Sequence, residues 1–135
     1  MSDVNKSAER EPSFGEFLGF KITSLTPERV TAELKARPEF NNRHGIMHGG
    51  AIMALADSLG GTATTANLKP GQTTTTIESK TNFFSAIPIG DTAFAECVAL
   101  HRGRSTMVWQ TRVTRSDGKL CALVTQTQMV LNRDK

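Results

Sequence analysis

An α+β fold, in which a curved antiparallel sheet of five to six strands wraps around one long central helix, is the architecture this sequence predicts. Three observations predict it. One stretch, from about Gly49 to Asn67, carries apolar residues at helical spacing on more than one side, so it needs a covering layer. Everything after Lys69-Pro70-Gly71-Gln72 reads as strands joined by tight turns. The chain of 135 residues is long enough for one domain with a real core and has little left over for a second.

Taken in order, Met1 to Pro12 mix Asp3, Lys6, Glu9, Arg10 and Glu11 with small polar residues, which predicts a loose tail (residues 1–12) ahead of a single domain spanning 13–135. Ser13 is placed to cap a short helix through Phe14, Phe17 and Leu18. Phe20 to Leu25 and Val30 to Ala36 read as two strands of a hairpin across Thr26-Pro27-Glu28-Arg29, with Val30, Ala32, Leu34 and Ala36 facing inward. A polar loop, Asn42 to Gly50, leads into the long helix, which ends at Lys69-Pro70-Gly71. Strands follow over Thr73–Phe84, Ala93–His101, a stretch through Met107, Trp109 and Val113, and Leu120–Leu131. The last two are separated by the hairpin signal Ser116-Asp117-Gly118-Lys119.

Bulk properties narrow the function. The first dozen residues lack the apolar core of a secretion signal, and no apolar run is long enough to span a bilayer, so a cytoplasmic protein is expected. Cys97 and Cys121 lie in apolar strand-like runs without CxxC spacing and read as buried thiols. A net charge of +3 suits an anionic ligand, but without a Lys/Arg block or many aromatics it gives nucleic-acid binding little support.

The chemistry concentrates in Asn42-Arg43-His44-Gly45-Ile46-Met47-His48-Gly49-Gly50 and the helix behind it. A glycine-bearing loop that runs into a helix places backbone N–H groups of partial positive charge beside whatever it binds. Asp57 then interrupts a run of Ala, Ile, Met and Leu. Such an acid lies either on the wet side of the helix or in a dry site for a reason. Blander readings stand beside these: a flexible glycine pair, a half-buried structural His48, and solvated arginines at Arg102 and Arg104. His44 and His48 are four apart but lack a Glu between them and a third ligand, so no metal site is expected. Ser58 has no GxSxG surroundings, and neither a P-loop nor a dinucleotide fingerprint occurs.

Asn42-x-x-Gly45-x-x-His48-Gly49-Gly50, with Asp57 eight residues after Gly49, resembles the hotdog-fold acyl-CoA thioesterases, and within them the phenylacetic-acid-degradation branch. The likeness extends through Thr76–Phe84, Gly90-Asp91, the corner Arg102-Gly103-Arg104-Ser105 and the closing hairpin, about residues 13 to 131. It implies that Gly49 offers its helix-end N–H to the thioester carbonyl, and that Asp57 attacks the thioester carbon or activates a water. It further implies that Asn42 positions that water or the carboxylate, that His48 shapes the loop, and that Thr76 supplies a small hydroxyl beside the site. Arg102, Arg104 and Ser105 fall where the family binds coenzyme A. An Asp at position 57, where a sister branch has Glu, favours the phenylacetic-acid-degradation type of site.

Eight helical residues rise about 12 Å, too far for Gly49 and Asp57 of one chain to meet on one carbonyl. The resemblance resolves this with a homodimer or a homotetramer (a dimer of dimers) whose sites lie between subunits. The expected reaction, hydrolysis of a short-to-medium-chain or aryl acyl-CoA, needs no metal or redox cofactor. Two alternatives stay open. One is a non-catalytic acyl-CoA sensor, although sensors of this fold carry a DNA-binding segment for which the dozen residues before Ser13 are too few. The other is an enoyl-CoA hydratase or dehydratase using a histidine paired with an acid.

Overall fold

The structure, a computed structural model, describes residues 13–133; the tail expected at residues 1–12 lies outside the described residues. Helix α1 (Phe14–Leu18) starts at Ser13, whose hydroxyl accepts the Glu16 N–H, and stops at Gly19 in the left-handed region with φ of 80°. Strands β1 (Lys21–Leu25) and β2 (Arg29–Lys35) form the expected hairpin. A 3₁₀ turn at Pro38–Phe40, not expected from the sequence, carries the chain to the loop. Arg37 fastens that turn to α1, donating to the carbonyls of Leu18 and Phe17 at 2.5 and 2.6 Å and lying 4.2 Å over the Phe40 ring.

Helix α2 (Gly49–Thr65) is followed by β3 (Gln72–Phe83), β4 (Thr92–Arg102), β5 (Thr106–Thr114) and β6 (Leu120–Asn132). All six strands form one antiparallel sheet in the order β1-β2-β4-β5-β6-β3, which leaves one side of β3 unpaired. Among the described residues, no helix is long and apolar enough to cross a membrane.

The sheet supplies the cover that the apolar helix needs. Ile52, Leu55, Ala56, Leu59, Gly60, Ala63 and Thr64 are buried against it. They meet Val30, Ala32 and Leu34 of β2, Cys97 of β4, Trp109 and Val113 of β5, and Ala122 of β6 in one core. Aliphatic side chains buried this way each contribute about 1.5–3 kcal/mol. The Trp109 indole N–H, also buried, donates to the Thr64 hydroxyl at 2.9 Å. Cys97 and Cys121 are free, buried thiols, and burial pushes Cys97 up to about 11. The sheet does not cover all of α2: Met53 and Asp57, four residues apart, remain exposed.

Strand β3 departs from simple alternation in a way that shapes the site. Thr76 pairs with Gln128 and Glu78 with Thr127, so Ile77 is bulged out of the ladder. Phe83 lies seven positions after Thr76, an odd offset that would put them on opposite faces of a regular strand. The bulge restores them to the same, helix-facing side.

Candidate active site

The loop from Asn41 to His48 is held by its own amides. The Asn41 carboxamide oxygen accepts the N–H groups of Arg43 and Gly45, and that of Asn42 accepts the N–H of His44 at 2.9 Å. The turn is tight enough to hold Arg43 at φ of 84° and Gly45 at 77°. Bridges from Asn41 to Met47 and from Ile46 to Pro88 then fix where α2 begins.

His48 is the N-cap of α2. Its Nδ1 accepts the Gly50 N–H at 2.8 Å, so its remaining ring proton sits on Nε2. A Cβ at position 50 would lie 2.9 Å from that Nδ1, which is why glycine follows at this position. Among the described residues, the N–H of Gly49 donates to no protein acceptor, so one helix-end donor is left unspent. Gly49 lines a cleft of about 330 Å³ together with Asn42, Ile52 and Phe83, whose ring would lie 3.0 Å from a Cβ at position 49.

Asp57 belongs to a second cleft, of about 690 Å³, shared with Ser58, Gly61, Thr76 and Gln128. The Thr76 hydroxyl donates to Asp57 Oδ1 at 2.7 Å. A third cleft, of about 420 Å³, is lined by Asn67, Lys69, Gln72, Arg102 and Arg104. Arg102 is partly committed, donating to Asn67 Oδ1 at 3.3 Å and lying 3.8 Å from Glu28. Arg104 is exposed and makes no ion pair among the described residues. Ser105 is absent from that lining and uses its backbone carbonyl to accept the Val130 N–H.

The residues singled out from the sequence therefore fall into separate groups. Asn42 joins Gly49, Asp57 joins Thr76, and Arg102 joins Arg104. His48 joins neither chemical group, because it faces a shallow apolar cleft with Phe14, Phe17 and Phe40. Sequence reasoning missed Gln126 and Gln128, two carboxamides buried on the inner face of β6 behind Thr76. The available signal was two glutamines at i and i+2, facing inward in a strand with Ala122 and Val124.

The sequence and the fold have counterparts among known proteins. The family model described as Thioesterase superfamily matches residues 44–122. PA1618 of Pseudomonas aeruginosa is 31% identical over 127 residues, covering 93% of this chain and 86% of its own length. The crystal structure of a mutant of that thioesterase matches with a TM-score of 0.85, at 27% identity, over 98% of this chain and 96% of that one. A Streptococcus mutans protein crystallised with acetyl CoA matches at TM-score 0.80 and 27% identity, over 88% of this chain and 94% of that one. The phenylacetic acid degradation protein PaaI of Thermus thermophilus, also a mutant crystal structure, matches at 0.79 and 28%, over 86% and 96%.

Proposed function

The chain belongs to the thioesterase superfamily and is a thioester hydrolase, and on that premise we propose that Asp57 of one subunit and Gly49 of a second act together on the carbonyl of an acyl-CoA. The products are the free acid and coenzyme A. The observation that carries this reading is the division of the two chemical groups between two clefts, an unspent helix-end N–H in one and a hydrogen-bonded carboxylate in the other. Neither half is a catalyst alone. Asp57 is exposed in the single chain, where water screens its charge.

The unpaired edge of β3 supports a paired assembly. It is 12 residues long, and Ile77 and Phe83 on it and Phe84 just past its end are each more than half accessible, which an isolated edge strand is not expected to leave bare. Two copies of β3 meeting antiparallel about a two-fold axis at Lys80, with the bulged Ile77 left out of the count, bring Thr76 opposite Phe83 of the partner subunit. Because the bulge puts both on the helix-facing side, that register carries the Gly49 cleft of one subunit to the Asp57 of the other. The Gly49 N–H then binds the developing oxyanion, Asp57 attacks the thioester carbon or takes a proton from water, and Asn42 orients the nucleophile. A homodimer or a dimer of dimers, acting in the cytoplasm on short-to-medium-chain or aryl acyl groups such as those of aromatic-acid degradation, fits this site and the likeness to PaaI.

The hydratase alternative loses its base, since the Nδ1 of His48 is committed to the helix cap and its ring faces away from the Asp57 cleft. The test is free-thiol release from a panel of aliphatic and aryl acyl-CoAs. A purified protein that leaves every one of them intact would overturn the reading, and hydration of an enoyl-CoA would replace it.

Arg104 offers a narrower check. Beside Arg102 and Lys69 it suits the phosphates of coenzyme A. Arg104→Ala is expected to raise KM for acyl-CoA about five- to twentyfold. The same substitution should do far less to KM for the matching acyl-pantetheine, which lacks the nucleotide. An equal rise for both substrates would remove the arginine from phosphate binding.

A further inference from the structure

We propose that Gln128, itself set by Gln126 and the backbone carbonyl of Ala56, is a positioning residue that aims the Thr76 hydroxyl at Asp57 and so presents the other carboxylate oxygen to the substrate. The proposal rests on the reading of Asp57 as the reacting carboxylate.

Two carboxamides sit where a strand facing an apolar helix would ordinarily place Val or Ile. Gln126 and Gln128 are each 1% exposed. Burying them is costly unless every polar atom is used, and here each one is. Their directions follow from one fixed point. The Ala56 carbonyl can only accept, so the nitrogen of Gln126 must face it, at 2.7 Å. That turns Gln126 Oε1 toward Gln128, which must answer with its own nitrogen, at 2.6 Å. The same Gln128 nitrogen donates its second N–H to the Thr76 hydroxyl oxygen at 2.5 Å, while Gln128 Oε1 lies 2.9 Å from the Thr74 hydroxyl, whose single hydrogen it shares with the Met129 carbonyl.

Thr76 thus accepts a hydrogen bond from Gln128 and donates its own O–H to Asp57 Oδ1 at 2.7 Å. The bonds thus run outward in both directions from the Gln128 nitrogen, a double donor, and end on two acceptors, the Ala56 carbonyl and the carboxylate one residue further along the same helix. Asp57 must accept at Oδ1. Its Oδ2 has no protein partner among the described residues, so it is the oxygen left to attack the thioester carbon or to take a proton from water. Gly60 belongs to the same device, because a Cβ there would lie 2.2–2.4 Å from the Gln126 carboxamide and block its reach to Ala56.

Purely structural glutamines would close on each other and stop. This pair instead ends on the one carboxylate of α2. The experiment is a double-mutant cycle on acyl-CoA hydrolysis with Gln128→Met, Thr76→Val and the double variant, with Thr76→Ser as the hydroxyl-preserving control and Asp57→Ala as the reference for the site itself. Gln128→Met keeps the side-chain length and removes the hydrogen bonds. Its kcat is expected to fall about five- to thirtyfold with KM within about twofold, and the double variant to be no slower than Thr76→Val alone. Thr76→Ser should restore most of the rate lost in Thr76→Val.

Independent, multiplying losses in the double variant would overturn the proposal, as would a Gln128→Met kcat within twofold of wild type. Should Gln128→Met not fold, the half-buried Thr76 pair decides: equal kcat for Thr76→Val and wild type overturns the proposal. An active Asp57→Ala is a different failure, since it removes the reading of the site on which the proposal stands.

Discussion

Asp57→Ala lowers kcat for acyl-CoA hydrolysis by a factor on the order of a hundred or more, while KM and the fold change little. The two halves of that expectation have separate grounds. The side chain is exposed in the single chain and makes one hydrogen bond, so its removal leaves no buried cavity and no orphaned core donor. Its loss does remove the one carboxylate that lines the cleft among the described residues; the other polar side chains there are hydroxyls and the committed Gln128 amide. A hundredfold loss corresponds to roughly 2.7 kcal/mol of transition-state stabilisation. Asp57→Asn keeps the shape and the acceptor at Oδ1, so it tests basicity alone and should be nearly as slow. Stopped-assay thiol release combined with a thermal melt separates the two effects. Retained turnover in both variants would make Asp57 structural and leave acyl-CoA binding without hydrolysis as the function to pursue.

The order of elements was legible because each rests on a local signal that tertiary packing did not contradict. Ser13 caps as its position suggests, Val30, Ala32, Leu34 and Ala36 all point inward, and the long helix starts at Gly49 as expected but stops at Thr65, short of Asn67 and ahead of Lys69-Pro70-Gly71. The 3₁₀ turn at Pro38–Phe40 was not legible, since three residues carry no periodicity and its anchor, Arg37, reaches back about 20 positions in sequence to α1. The bulge at Ile77 was hidden for a related reason: Thr73 to Thr76 are chemically alike, so no pattern marks where the face switches. The site was half legible. Gly49 and Asp57 stand out as residue types in context, whereas Gln126 and Gln128 matter only through groups about 50 to 70 residues away.

Adjacent glycines in α2 give opposite expectations, and the contrast isolates the device behind Asp57. Gly61→Ala puts a methyl where nothing lies within 4 Å, so the gain in helix propensity stands and the protein is stabilised by about 0.5–1 kcal/mol. Gly60→Ala gains the same propensity and loses more. Its methyl would lie 2.2–2.4 Å from the buried Gln126 carboxamide, a distance at which something must move. Overpacking of this kind costs about 1–3 kcal/mol, and displacing Gln126 strands buried polar groups at a further 1–3 kcal/mol or so. The expected net is a destabilisation of about 2–4 kcal/mol, or a thermal midpoint roughly 8–15 °C lower, together with a fall in kcat as the orientation imposed on Gln128 and Thr76 is lost. Adding Gln126→Ala to Gly60→Ala relieves the clash but leaves the Gln128 N–H without its acceptor, so only the overpacking part of the lost stability should recover while kcat stays low. A double variant that recovers both would mean that the glutamines serve packing alone. If Gly60→Ala instead melts above wild type, the close approach of Gln126 to the helix is not what keeps this position glycine.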